Sequence, residues 1–576
     1  LRYPLGGAVP ARARGGARLM GRSLAALAGR EFDVLVVGGG VTGAATAWDA
    51  AQRGLSVALL ERGDFGGATS AESLKVVHGG VRYLQHLDVV RVRESSRERR
   101  ALLRMAPHLV HPMPFVVPTY GHGMRGPEIL AAAFTALNLL TADRNRGLTD
   151  PARQVPAARI VSRARVLEWF PDINKEGLTG AGVFYDGQMF NPPRLVWALV
   201  RTAARAGAAV ANYCDVTSLI LQGGRVIGVQ VEDRLGGDKF EVRGRTVVNA
   251  AGPYAEALLV RSGVRAARSV PFSRDMALVL KRRFVDGRAL ALQTRYRDPS
   301  AVLTRGPRHL FLVPWRGRTL VGVNSLIWRD EPDRLRVSEA EVSNFVTEIA
   351  EADPRMGLTM DDVALVMAGL LPVEKGDEEG GNVSFGKRPL VVDNAREDGV
   401  QGLISAISNR YTVARGVAEH AVDLVYHKLG RSVRPSRTAV TRIHGGDFFR
   451  FDDLVREVAG ALPAGLDRSI AERFARDHGS AYGEVLRLAS ERPELGVTIG
   501  ATDILRAEVV HAARSEMVSK LSDAVFGRTG IATVGDPGRA ELEECADLVG
   551  AQLGWDASRR ERELREVRER IPFRRT

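Results

Sequence analysis

Two short runs of strand length, 33–37 and 55–60, are apolar except at Asp33 and Ser56, and between them residues 41–53 carry small and apolar side chains at helical spacing. The pattern predicts strand, helix, strand, with Gly38, Gly40 and Gly43 at the first turn and Glu61 closing the second strand. Further along, runs at 180–185 and 210–231 predict strands, with a helix at 195–206 between them. A strand at 245–249 ends on small residues, Ala250-Ala251-Gly252-Pro253. Residues 276–280, 309–313 and 319–323 predict more strands, and 402–407 a last apolar one that opens into a helix reaching about 429. After the polar stretch 431–437 the periodicity is almost wholly helical, and 559–570 reads as a solvated helix with Leu564 and Val567 on a narrow packing stripe. No run reaches the roughly 18 apolar residues that span a bilayer. The best candidate, 129–142, suits either a buried core helix or one lying in a membrane interface, where Arg125, Arg144 and Arg146 would meet anionic headgroups.

The first unit carries a strict physical demand. Gly38 makes the tight turn, Gly40 lets a pyrophosphate approach the backbone, and Gly43 lets helix and strand pack closely. Free N–H groups at the helix start favour a negative group, and Glu61, eighteen residues past Gly43, sits where an acid accepts the ribose hydroxyls of an adenosine. A dinucleotide is therefore expected. The next segment, Gly63-Asp64-Phe65-Gly66-Gly67-Ala68-Thr69-Ser70, leads into Ser73-Leu74-Lys75-Val76-Val77-His78-Gly79-Gly80-Val81-Arg82-Tyr83-Leu84. Such a second loop suits wrapping a resident flavin better than leaving the open cleft a diffusible nicotinamide needs.

At this point the sequence resembles the FAD-dependent glycerol-3-phosphate dehydrogenases, which carry in the same order GGGxxG, an acid, GDF, TS, K, HGGxRYL and MAPHL, here Met105 to Leu109. The C-terminal stretch from Ala507 to Met517 matches as well, and the resemblance covers essentially 31–557. It implies an α/β fold: an FAD-binding Rossmann-like domain of the glutathione-reductase type, an inserted antiparallel-sheet substrate domain, and a C-terminal α-helical domain. The expected division is a basic leader at 1–30, an oxidoreductase domain at 31–433 and a helical domain at 434–576. Within the second, 31–84, 180–254 and 386–433 serve the cofactor, and 85–179 and 255–385 the substrate. Expected cofactor contacts are Gly38, Gly40, Gly43, Glu61, Thr69, Ser70, Lys75, Val216, Gly252, Arg410 and Thr412. Arg82 and Tyr83 match the family's substrate-side pair. His78 is the candidate acid/base, with a purely structural histidine as the alternative.

The net charge of +13 raises a nucleic-acid reading, but the charge sits at the ends: six arginines and no acid in 1–30, then eight arginines against four glutamates from 559 onward. With no basic stripe between them, no nucleic-acid partner is expected. The leader is read either as a transit-like segment or as sequence upstream of a natural start at Met20. Cys214 and Cys545 match no metal or redox spacing; no metal is expected, and a reducing cytosol is the simplest home. The resemblance adds a quinone or other electron acceptor and a peripheral place on the inner face of the plasma membrane. A homodimer is left open.

The substrate side departs from the family. GVRPL becomes Gly369 to Val373, with Leu371 in place of arginine; SKGSH becomes Ser273 to Ala277, with Arg274 for lysine and Ala277 for histidine; GTTD becomes Gly322 to Ser325; GGKLTTYR becomes Ser408 to Arg415. Three readings follow. In the first, Arg82, Arg274 and Arg410 clamp the phosphate of glycerol 3-phosphate, because guanidinium forks match phosphate oxygens, and electrons pass to quinone. In the second, a related flavoenzyme oxidises another polyol, hydroxy acid or amine, with Leu371 marking an apolar pocket. The third is a non-catalytic flavoprotein redox sensor, against which His78, Arg82 and Tyr83 argue.

Overall fold

The computed structural model describes residues 22–571, apart from 124–125, 268, 298–306, 377–382 and 386–388. Most of the leader, 1–21, therefore lies outside the described residues. Its last part does not behave as a free arm: Leu27 is buried, and Arg22 pairs with Asp233 and donates from Nε to the Asn212 carbonyl at 2.8 Å.

Val34–Val37 is buried at every position because it sits mid-sheet with both faces covered. It pairs in parallel with Val57–Leu60 on one side and Val247–Asn249 on the other, inside a six-stranded sheet ordered 390–393, 403–407, 247–249, 34–37, 57–60, 209–211. One face carries the helix Val41–Gln52 with Pro192–Arg205 and Ala414–Lys428. The first of these is rich in alanine, so it packs close, and Trp48 and Trp197 fill the space beside it with almost no exposure. A smaller four-stranded sheet, 31–32, 239–244, 225–233 and 214–222, shares the other apolar core.

A ten-stranded, mostly antiparallel sheet forms the second layer. It includes Phe272–Leu280, Pro307–Trp315, Arg318–Trp328 and Val363–Gly376, with the helix Glu339–Ala352 over one face. The strand expected at 180–185 is longer, Leu178–Met189, and belongs to this sheet rather than to the cofactor sheet. It pairs with Val110–Tyr120 and, at its end, with Val76–Val77, which carries the chain from the glycine-rich unit onto the ten-stranded sheet. From 451 on the chain is helical around two apolar clusters. Pro127–Leu140, the apolar segment read two ways above, is a helix in which only Phe134 and Leu137 are buried. Those two join an apolar cluster, Ile129 and Leu130 line the central cavity, and Leu139 points outward.

Candidate functional site

One cavity of about 2230 Å3 is lined both by the glycine turn, Gly38 and Gly40, and by Arg82, Tyr83 and Arg410. The turn has the shape a dinucleotide needs. Gly38 has φ +98°, which glycine alone adopts readily. A Cβ on Gly43 would stand 1.8 Å from the Gly38 carbonyl oxygen, so the helix could not start so close to the strand with any other residue. Val41 N–H donates to Ser70 Oγ at 3.0 Å, placing that hydroxyl at the helix N-terminus. The Glu61 carboxylate accepts from Gly39 N–H at 2.5 Å and Gly63 N–H at 2.8 Å. Burial pushes its pKa up, against the pull of those two amides.

Glu61, Ser70, Val216 and Gly252 join Gly38 and Gly40 on the cavity wall. Thr69 is there too, with Oγ1 donating to the Leu370 carbonyl at 3.2 Å and so tying the loop to the substrate sheet. Gly43 and Thr412 stand behind the wall: Thr412 Oγ1 accepts from His78 N–H at 2.9 Å, fixing one turn against the other. Lys75 is placed otherwise than expected. Its Nζ is buried, donates to the carbonyls of Ala71 and Ser73 at 3.2 Å, and lies over the Trp315 ring. Burial lowers its pKa to about 8. It braces the loop from inside rather than facing the cavity.

On the substrate side, Arg410 pairs with Glu94 at 2.9 Å and lies 5.2 Å from the Tyr83 ring centroid, over which Arg91 also stacks. His78 lies on the wall with its ring half exposed, Nδ1 3.2 Å from Asp186 Oδ2. Arg274 is the clear correction. It is buried, it pairs with Glu341 at 2.8 Å and donates to the Arg336 carbonyl, and it is not on the cavity wall. The cause is strand alternation: Arg274 shares the face of Met276, Leu278 and Leu280 under the helix Glu339–Ala352, whereas Asp275 takes the cavity face. Leu371, Asn324 and Ser325 do line the cavity.

Two contributors escaped the sequence reading. Asp186 accepts from Gly79 N–H at 2.6 Å and pairs with Arg99; an acid late in a mostly apolar strand was the available signal. The other is the C-terminal domain, which brings Lys520, Ser522, Asp523, Glu566 and Arg570 to the wall. Its buried Arg528 binds Asp64 through two bonds of 2.7 and 2.8 Å, and Tyr213 O–H donates to Asp523 at 2.7 Å. Burial, helped by the charge on Asp64, pushes Asp523 up to about 7.

The family described as FAD dependent oxidoreductase matches residues 33–424, and that described as the C-terminal domain of alpha-glycerophosphate oxidase matches 436–560. A glycerol-3-phosphate dehydrogenase of Mycobacterium leprae is 32% identical over 547 residues, covering 94% of this chain and 88% of that protein. The chain belongs to the FAD-dependent glycerol-3-phosphate dehydrogenase family. The human mitochondrial glycerol-3-phosphate dehydrogenase is 31% identical over 93% of this chain and 73% of its own length. The fold of this family member agrees with that of the glycerol-3-phosphate dehydrogenase from Bacillus halodurans, solved with FAD, at a TM-score of 0.74 and 24% identity over 95% of this chain and 96% of that one. The protein is thus an FAD-dependent oxidoreductase, and the close-packed glycine turn, where a Cβ on Gly38 or Gly43 would strike backbone at 2.7 and 1.8 Å, fits that cofactor.

Proposed function

We propose that the enzyme oxidises sn-glycerol 3-phosphate to dihydroxyacetone phosphate and passes the electrons to a quinone. The observation that carries this reading is the presence of His78, Arg82, Tyr83 and Arg410 on the same wall as the dinucleotide turn. The names of the relatives support it independently. Bound FAD supplies the hydride acceptor. The chain's own groups do the rest: the Arg82 and Arg410 guanidinium groups hold the phosphate, Tyr83 is held in place by the Arg91 and Arg410 guanidinium groups against its ring, and His78 takes the hydroxyl proton. Gly38, Gly40, Glu61, Ser70, Val216 and Gly252 hold the cofactor.

Arg82→Ala should lower kcat/KM for glycerol 3-phosphate by about 2–4 kcal/mol, the worth of charged hydrogen bonds, and leave the poor rate with plain glycerol nearly unchanged. Equal losses on both would remove Arg82 from the phosphate. A second reading, oxidation of another polyol, hydroxy acid or amine, is favoured by Leu371 and Asp275 on the wall and by Arg274 turned away from it. A substrate panel separates the two.

The membrane reading draws support from the helix Pro127–Leu140, where Leu139 is 74% exposed, and from Leu87 and Val90 on the elements packed beside it, exposed by 64% and 73%. No described helix is long and apolar enough to cross a membrane. A peripheral place on the cytoplasmic face follows from this reading.

A further inference from the structure

His78 reaches the cavity from the loop after Val76–Val77, and that short strand pairs antiparallel with the end of Leu178–Met189, Val77 opposite Gly187. The register carries Asp186, the next residue back along the longer strand, to the start of the His78 loop. Its carboxylate is fully engaged: Oδ1 accepts from Gly79 N–H at 2.6 Å and from Arg99 Nη1 at 3.2 Å, and Oδ2 faces His78 Nδ1 at 3.2 Å. Arg99 is itself anchored by the Tyr185 carbonyl. Gly79 has to be glycine here, because a Cβ would fall 2.0 Å from Arg99 Nη1. The side chain of Asp186 is 5% exposed, while that of His78 is 51% exposed.

We propose that Asp186 is the positioning residue that makes His78 the proton acceptor, by fixing its neutral tautomer. The inference rests on the oxidation proposed above. A carboxylate only accepts hydrogen bonds, so Nδ1 must carry the proton in this contact. Nε2, on the ring edge away from Asp186, is then left with its lone pair. Converting a secondary alcohol to a ketone releases a hydride, taken by the oxidant FAD, and the hydroxyl proton, taken by Nε2. The imidazolium that results is held by the Asp186 carboxylate, which stays unprotonated. Arg99, from the helix Val89–Met105, stands behind the carboxylate, and Arg82 and Arg410 line the same cavity.

The test combines a tautomer measurement with kinetics. In the wild-type holoenzyme labelled with 15N-histidine, and assigned against His78→Gln, the His78 signals at neutral pH should report Nδ1–H and a bare Nε2. Asp186→Asn presents an amide N–H to the ring once its carbonyl oxygen takes the Gly79 and Arg99 donors, and so should invert that tautomer. It should lower kcat with glycerol 3-phosphate by about 100-fold or more, hold KM within about threefold, keep FAD bound, and move the acid limb of the kcat–pH profile. Added to His78→Gln, it should cost little more. A wild-type ring protonated on Nε2 overturns the proposal, and that result needs no folded variant. Loss of FAD in step with activity, or a full further loss of kcat in the His78→Gln background, also overturns it by reducing Asp186 to a brace for the loop. If the wild type does not oxidise glycerol 3-phosphate, the reaction reading fails, while the tautomer measurement still decides the role of Asp186.

Discussion

Glu61 does more than wait for a ribose. By accepting from the N–H groups of Gly39 and Gly63, it holds the glycine turn and the start of the wrapping loop in one arrangement. Glu61→Ala should therefore weaken FAD binding by roughly 2–4 kcal/mol, two charge-assisted bonds, and should also loosen FMN, though less, because only FAD brings an adenosine ribose. Fluorescence titration with both flavins measures this; an unchanged FAD affinity would place the carboxylate outside the cofactor site. At this scale the glycines and the acid were legible because their spacing is local and each has a steric reason to be what it is. Asp186 was not, since its partner lies 108 residues away and only strand pairing brings them together. Arg274 was misread for a related reason. Met276 to Leu280 are apolar on both faces, so alternation could not reveal which side Arg274 takes.

Between elements, the least expected link is that from the C-terminal helices to the cofactor loop. Arg528 is fully buried and bidentate to Asp64, three residues past Glu61. Arg528→Met should leave the carboxylate without its counter-charge, cost about 3–5 kcal/mol of stability, and weaken FAD retention. Asp64→Asn in the same chain should restore part of both, as read by thermal melts and FAD titration. Retention unchanged in Arg528→Met would mean that the C-terminal domain only packs against the loop. Asp523 adds a pH dependence. Its folded pKa, about 7, lies above its ordinary 3.8, so the stability it contributes is full below that lower value and is lost as pH rises through about 7. The melting temperature of the wild type should thus fall relative to Asp523→Asn between pH 5 and pH 8; a constant difference would show that Asp523 titrates normally. Most helices and strands themselves were legible from periodicity, but which sheet Leu178–Met189 joins was not, because an apolar run does not name its neighbour.

For the whole molecule, one surface and one reaction matter. If Pro127–Leu140 and the neighbouring Val90 rest on lipid, then Leu139→Glu with Val90→Glu should abolish flotation with anionic vesicles while FAD content stays constant; unchanged flotation would remove that face from the membrane. The reaction is the deeper question, because Leu371 and Asp275 stand on the cavity wall where the sequence departs from the family. Restoring arginine with Leu371→Arg should raise activity on the phosphorylated substrate if the cavity pairs the new charge with phosphate. The most direct measurement is anaerobic mixing of the purified, FAD-loaded enzyme with glycerol 3-phosphate, following flavin absorbance and assaying the product. The expected result is rapid bleaching with one equivalent of dihydroxyacetone phosphate per flavin, strongly slowed in Arg82→Ala. A flavin that stays oxidised with glycerol 3-phosphate yet bleaches with an unphosphorylated alcohol, hydroxy acid or amine would contradict it.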